Sequence, residues 1–192
     1  MKNTILFVLS LVLAVPYLAM AAEPKPLVLF DFEKADDLKC FQLDGPTKDN
    51  IKAELSPENF STGKTCLKVS YTDDQWADIQ FTKFKGDWSA YNALKVDIFN
   101  PTAGLVALSF QGADADAGFS KEAYFGDPEK RVAVSGMLRP GKNTLVFPLK
   151  FDRPFDLKKV QMWSLSSLSR PKGLMLYIDN IRLEKVKPEE LE

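Results

Sequence analysis

Histidine is absent from the 192-residue chain. That excludes any scheme in which an imidazole activates a serine or cysteine, and any histidine-ligated zinc or copper site. Cysteine is scarce, with only Cys40 and Cys66. An excess of charge is also missing: 25 Lys and Arg face 26 Asp and Glu, a formal net charge of −1. Such a chain offers no basic field to attract nucleic acid or an anionic membrane. Beyond the N-terminal region there is no apolar run of the ~20 residues that a helical membrane span requires. No amphipathic helix pattern, internal repeat or low-complexity segment is evident.

The N-terminus does carry one apolar stretch. Lys2 precedes Ile5–Val15, and Ala19-Met-Ala21 follows as a small-x-small site. This is the pattern of a secretory signal, and the run is too short for an anchor. Removing 21 of 192 residues leaves 171, the size of one domain, and loses only the charge of Lys2, so that −1 becomes −2. The expected organisation is a signal peptide at 1–21, a short leader at 22–26, a domain at 27–185 and a charged, fraying tail at 186–192. The expected location is secreted or periplasmic, and the expected state a monomer.

In an exported chain two cysteines suggest a disulfide. A Cys40–Cys66 bond would close 25 intervening residues and contribute on the order of 3 kcal/mol. Two buried thiols are the alternative.

What is abundant is short alternating apolar runs. They fall at 27–33, 38–43, 51–55, 66–71, 77–81, 94–98, 105–110, 144–149, 160–165 and 174–183, separated by Gly, Pro, Asn and Asp clusters. The pattern is that of an all-β sandwich. Residues 112–130 read as a long irregular stretch carrying Asp114, Asp116, Glu122 and Asp127, and long loops are often functional.

Near the C-terminus, Leu174, Leu176 and Ile178 alternate with Met175, Tyr177 and Asp179. A carboxylate in a strand is at its end in water, paired, or bound to a cation. Near the start of the domain, Asp31 and Glu33 share a face. Side-by-side terminal strands would bring the three carboxylates towards one hard cation. The alternative is that Asp179 caps a turn through backbone amides.

Asp31-Phe-Glu33, STGKTCLKVSY at 61–71, DWSAYNALKVDIFNP at 87–101, LRPGKNTLVFPL at 138–149 and LYIDNIRL at 176–183 occur in that order. In this the chain resembles the galactose-binding-like jelly roll, the sandwich of many non-catalytic carbohydrate-binding modules, over residues 27–185. The resemblance implies a structural calcium. Its ligands would be Glu33, Asp31 and Asp179, with backbone carbonyls near Gly63 and Lys64. Calcium accepts such mixed oxygen sets.

A glycan groove needs an aromatic face and planar polar groups. Alternation would point Ile79, Phe81, Leu94, Val96, Ile98, Leu108, Phe110, Val160 and Met162 inward. The opposite face would carry Asp78, Gln80, Asp97, Gln111, Gln161 and Trp163, with Trp163 as the platform. A solvated sheet face would look much the same. Trp76 could stack at the rim, whereas Trp88 is better read as core.

Asp114 and Asp116 could form the carboxylate pair of a glycoside hydrolase, and Tyr124 with a nearby cation could serve a polysaccharide lyase. Solvated loop residues are the simpler reading of the acidic pair. The expectation is an exported, non-catalytic polysaccharide-binding protein with a structural calcium. A jelly-roll glycoside hydrolase or lyase, and a protein-interaction or assembly module, are the alternatives.

Overall fold

A computed structural model describes residues 23–44, 51–72, 78–81, 83–84, 86–115, 131–153, 155–169 and 173–191. The first run after the leader forms β1 (Leu27–Phe30), and a 3-10 turn (Ala35–Lys39) leads to β2 (Phe41–Asp44). Then follow β3 (Ile51–Ser56), β4 (Cys66–Tyr71), β5 (Asp78–Phe81) and β6 (Ala93–Asn100). The set is completed by β7 (Val106–Asp114), β8 (Arg131–Leu138), β9 (Gly141–Pro148), β10 (Val160–Ser169) and β11 (Met175–Glu184).

Two antiparallel sheets result. One runs β3-β4-β11-β6-β9, with β1 added against β11; the other runs β2-β5-β10-β7-β8. This is the all-β sandwich that the alternating runs imply. The terminal strands do lie side by side, with Leu27 opposite Leu183 and Phe30 opposite Ile181. Strand β8 was hidden in the sequence: Val132 and Val134 alternate, but Ser135-Gly136 interrupts the run. Strand β7 also extends to Asp114, past the point where the irregular stretch was expected to begin.

The core between the sheets holds Leu67, Val69, Val96, Ile98, Leu176 and Ile178 from one side, and Ile79, Phe81, Leu108, Phe110 and Leu165 from the other. Trp163 belongs to it, which corrects the expectation of an exposed platform. Its side chain is 0% exposed and stacks on Phe81 at 3.9 Å between ring centroids and 8° between planes. Trp88 meets it edge-on at 5.6 Å, in the core as the sequence suggested, and Phe30 lies 6.0 Å away. The Trp163 indole N–H donates to the Lys83 carbonyl at 3.2 Å, so burial leaves no orphan donor.

The inversion has a local cause. The β7–β10 register shifts between Val160 and Met162, leaving Gln161 as an extra residue. A one-residue insertion sends every later side chain to the other face. Val160 points inward before it; Trp163 and Leu165 point inward after it, in place of Met162.

The C-terminal tail is fastened rather than frayed. Val186 is buried, its N–H donates to Asn92 Oδ1 at 2.8 Å, and its carbonyl accepts from Asn92 Nδ2 at 2.8 Å. Lys95 reaches Glu190 at 2.9 Å and Glu184 at 3.4 Å. Among the described residues, no helix is long and apolar enough to cross a membrane.

Trp163→Ala should therefore cost about 3–5 kcal/mol of folding stability, read as a large fall in denaturation midpoint. A near-native midpoint would contradict the buried position.

Candidate functional site

The outward face of the five-stranded sheet is built from the side chains that alternate with its core residues. Strand pairing aligns Gln42, Gln80, Ser164, Gln111 and Ala133 in one row across all five strands. Asp78, Ser166, Ser109 and Ser135 align in the next. At a strand spacing of ~4.8 Å the first row spans roughly 19 Å. Gln42 donates to the Gln80 side-chain carbonyl. The Ser164 hydroxyl is buried without a hydrogen-bond partner among the described residues. Asp78 and Ser166 are buried, and the Ser135 hydroxyl donates to that of Ser109 at 3.3 Å.

Of the residues expected on one face, then, Asp78, Gln80 and Gln111 come together. Asp78 lies beneath the accessible surface. Gln161 is exposed at the register shift. Gln42 and the serines were missed; on short β2, Phe41 and Leu43 against Gln42 give too brief an alternation to orient the strand. Trp76, Asp116, Glu122, Tyr124 and Asp127 lie outside the described residues, as does the 1–21 segment. Asp114 is buried rather than solvated, and its Oδ2 accepts the Asp156 N–H at 2.8 Å.

Where this face meets the β8 edge it opens into a cavity of about 570 Å³, lined by Gln111, Arg131, Ala133, Lys150, Asp152 and Arg153 among others.

Asp97 does not share the face. It sits on β6 in the other sheet, opposite Asp179. Its Oδ2 accepts from Arg182 at 3.0 Å and Asn180 at 2.8 Å, and its Oδ1 from Thr144 at 2.7 Å. Beside it lies a smaller cavity of about 290 Å³ bordered by Phe99, Tyr177 and Lys142.

The carboxylates proposed as metal ligands are engaged with donors. Asp179, 1% exposed, accepts Ser61 N–H at 2.7 Å, Ser61 O–H at 2.8 Å and Thr62 N–H at 3.0 Å on Oδ2, and Asn180 N–H at 2.8 Å on Oδ1. Glu33 Oε1 accepts the amides of Lys64 at 2.7 Å and Thr65 at 2.9 Å. Those two bonds, led by Lys64, hold the Glu33 carboxyl below its usual range. Gly63, at φ 66°, allows this approach, since a Cβ there would collide with the Glu33 carboxylate. Asp31 is exposed, with Oδ1 3.3 Å from the Glu33 amide.

Calcium needs oxygen lone pairs, whereas the groups converging on Asp179 are N–H and O–H donors. The set present at Asp179 does not fit a calcium ion. Among the described residues no three Asp, Glu or Cys side chains group closely enough to hold a metal.

The expected disulfide is corrected, because Cys40 and Cys66 are both buried thiols that are not bonded to each other. Cys40 belongs to the core, while Cys66 is opposite Ser56 on the outward side of its sheet, its neighbour Leu67 taking the core position. Cys66 Sγ donates to the Glu58 carbonyl at 3.0 Å. Burial, then the negative charges of Asp179 and Glu58, push its thiol up to about 12, so it is unreactive near neutrality.

No family model and no curated relative matches the chain. Solved structures do. An exo-β-agarase matches at TM-score 0.64 and 17% identity, over 84% of this chain but 25% of its own. The chain thus spans about a quarter of that enzyme. A family 11 carbohydrate-binding module from Clostridium thermocellum, solved with a β-1,3-1,4-mixed-linked tetrasaccharide, matches at 0.59 and 17% identity, over 84% of this chain and 96% of that one. The solution structure of CtCBM11 matches at 0.61 and 20% identity, over 88% and 99%. The fold is therefore the jelly-roll β-sandwich of such carbohydrate-binding modules and agarase domains, as the ordered motifs implied.

Because the folded-state Glu33 carboxyl lies below its ordinary 4.5, its stabilising effect is present above that pH and fades as pH falls through the lowered value. Glu33→Gln should lower the melting temperature at pH 7, with the difference from wild type closing as the pH falls through the lowered carboxyl range. A pH-independent difference would remove the charged carboxylate from the account.

Proposed function

We propose that the protein is an exported, non-catalytic carbohydrate-binding module that grips a polysaccharide across the outward face of its five-stranded sheet. The observation that carries this is the row through Gln42, Gln80 and Gln111, which puts planar amides at the surface of three strands of that face, with the buried Ser164 aligned between Gln80 and Gln111. An amide both donates and accepts, which suits the paired donor and acceptor character of sugar hydroxyls. Support comes from the fold shared with modules that it covers almost end to end, one of them solved with a tetrasaccharide. The N-terminal pattern supports export.

Residues 61–65 are held by Glu33 and Asp179 directly, and we assign to these carboxylates the loop-fixing role that a structural calcium would otherwise have. Asp179→Ala should lower the melting temperature substantially, since it removes the buried carboxylate that accepts from the Ser61, Thr62 and Asn180 amides and the Ser61 hydroxyl, bonds to a charged group being worth about 1.5–3 kcal/mol each. Its effect should be the same in calcium and in chelator. A chelator-induced fall in the wild-type melting temperature would restore the calcium.

A glycan array followed by a product assay tests the binding function. Gln80→Ala and Gln111→Ala should each weaken the bound glycan about tenfold, or 1.4 kcal/mol, with melting unchanged. Undiminished binding in the double variant would move the site elsewhere, and released product would make the protein an enzyme.

A further inference from the structure

The amide row ends at a cavity whose chemistry differs from its own. Of about 570 Å³, it is lined, among the described residues, by Arg131, Lys150 and Arg153 with Asp152 as the carboxylate, and it shares Gln111 with the row. This local excess stands out in a chain whose formal net charge is only −1. Arg131 is opposite Ala113 and falls on the same outward face as Gln111, which is opposite Ala133.

Lys150, Asp152 and Arg153 arrive from the other sheet, on the segment that follows β9. Phe151 fixes that segment in place, its ring 6.5 Å from Phe110 and 5.2 Å from Phe155, while the three charged neighbours stay exposed. Among the described residues Lys150 enters no ion pair. The cations therefore border the course of a glycan lying along the row, at the end where Gln111 stands.

On the reading given above, we infer that the face selects an acidic polysaccharide, one bearing carboxylate or sulfate-ester groups, whose anion sits in the Arg131–Lys150–Arg153 cavity. A guanidinium presents paired N–H donors that match either oxyanion, and an ammonium adds a compact charge. A cavity at the rim keeps these cations partly hydrated, so the gain is one of discrimination more than of raw affinity.

The test compares polygalacturonate, carrageenan and neutral agarose by affinity electrophoresis of the purified full chain and of its Lys150→Ala/Arg153→Ala variant. At least one acidic glycan should bind tenfold or more tightly than agarose. That preference should weaken with added salt and vanish in the double variant, with neutral binding and melting temperature unchanged. Preference for polygalacturonate assigns a carboxylate, and preference for carrageenan a sulfate ester. Equal binding of polyphosphate would reduce the effect to bare charge and overturn the inference. So would an undiminished preference in the variant, or neutral binding without any acidic preference, which would leave the carbohydrate-binding function standing. Retention of no glycan of any kind would end both.

Discussion

Strand β11 has hydrogen-bonded neighbours on both edges, and one of those edges changes partner midway. Residues 175–178 pair with β4, while 181–183 pair with β1. Between them the chain kinks at Asn180, φ 46°, and the register with β6 shifts between Asp179 and Arg182. Backbone donors near such a junction have no strand to bond to. Asp179 on β11 and Glu33 just after β1 meet this need by accepting amides from the loop that enters β4. Two strands can thus abut on one neighbour, which lets the chain's first and last strands close the same sheet.

That junction was legible in part. An Asp inside an apolar run near the C-terminus, and an Asp-Phe-Glu after the first strand, marked carboxylates at this junction, and the terminal strands were expected to adjoin. Whether those carboxylates face a cation or amide hydrogens depends on which way a few peptide units turn. Residue type does not encode that; Gly63 was the nearest signal, because it admits Glu33 to the amides.

Trp163 shows the other limit. Alternation through Val-Gln-Met-Trp assigns the indole to the surface, and it does so correctly for an unbroken strand. A single extra residue at Gln161 reverses the assignment, and no turn residue marks it. The larger pattern survived, since Ile79 with Phe81 and Leu108 with Phe110 do point inward; each of those pairs spans only three residues, too few to accumulate an error of phase. Asp97 was misplaced for a different reason. Alternation tells which side of its own strand a residue occupies but not which sheet the strand joins.

The two outward faces differ in how far their polar groups are already used. On the six-stranded sheet Asp97 is tied to Arg182, Lys95 to Glu184 and Glu190, and Lys68 to Glu54. A ligand there would have to replace interactions between charges, with the desolvation cost that this carries. On the five-stranded sheet the row through Gln42, Gln80, Ser164 and Gln111 holds uncharged amides and a hydroxyl. Among the described residues Gln111 makes no side-chain hydrogen bond, so a ligand can bond to it without breaking an existing contact. Neutral groups of this kind accept many sugars about equally well, which leaves discrimination to whatever breaks the uniformity of the row. At the β8 edge that break is, among the described residues, a lining of Arg131, Lys150 and Arg153 with Asp152.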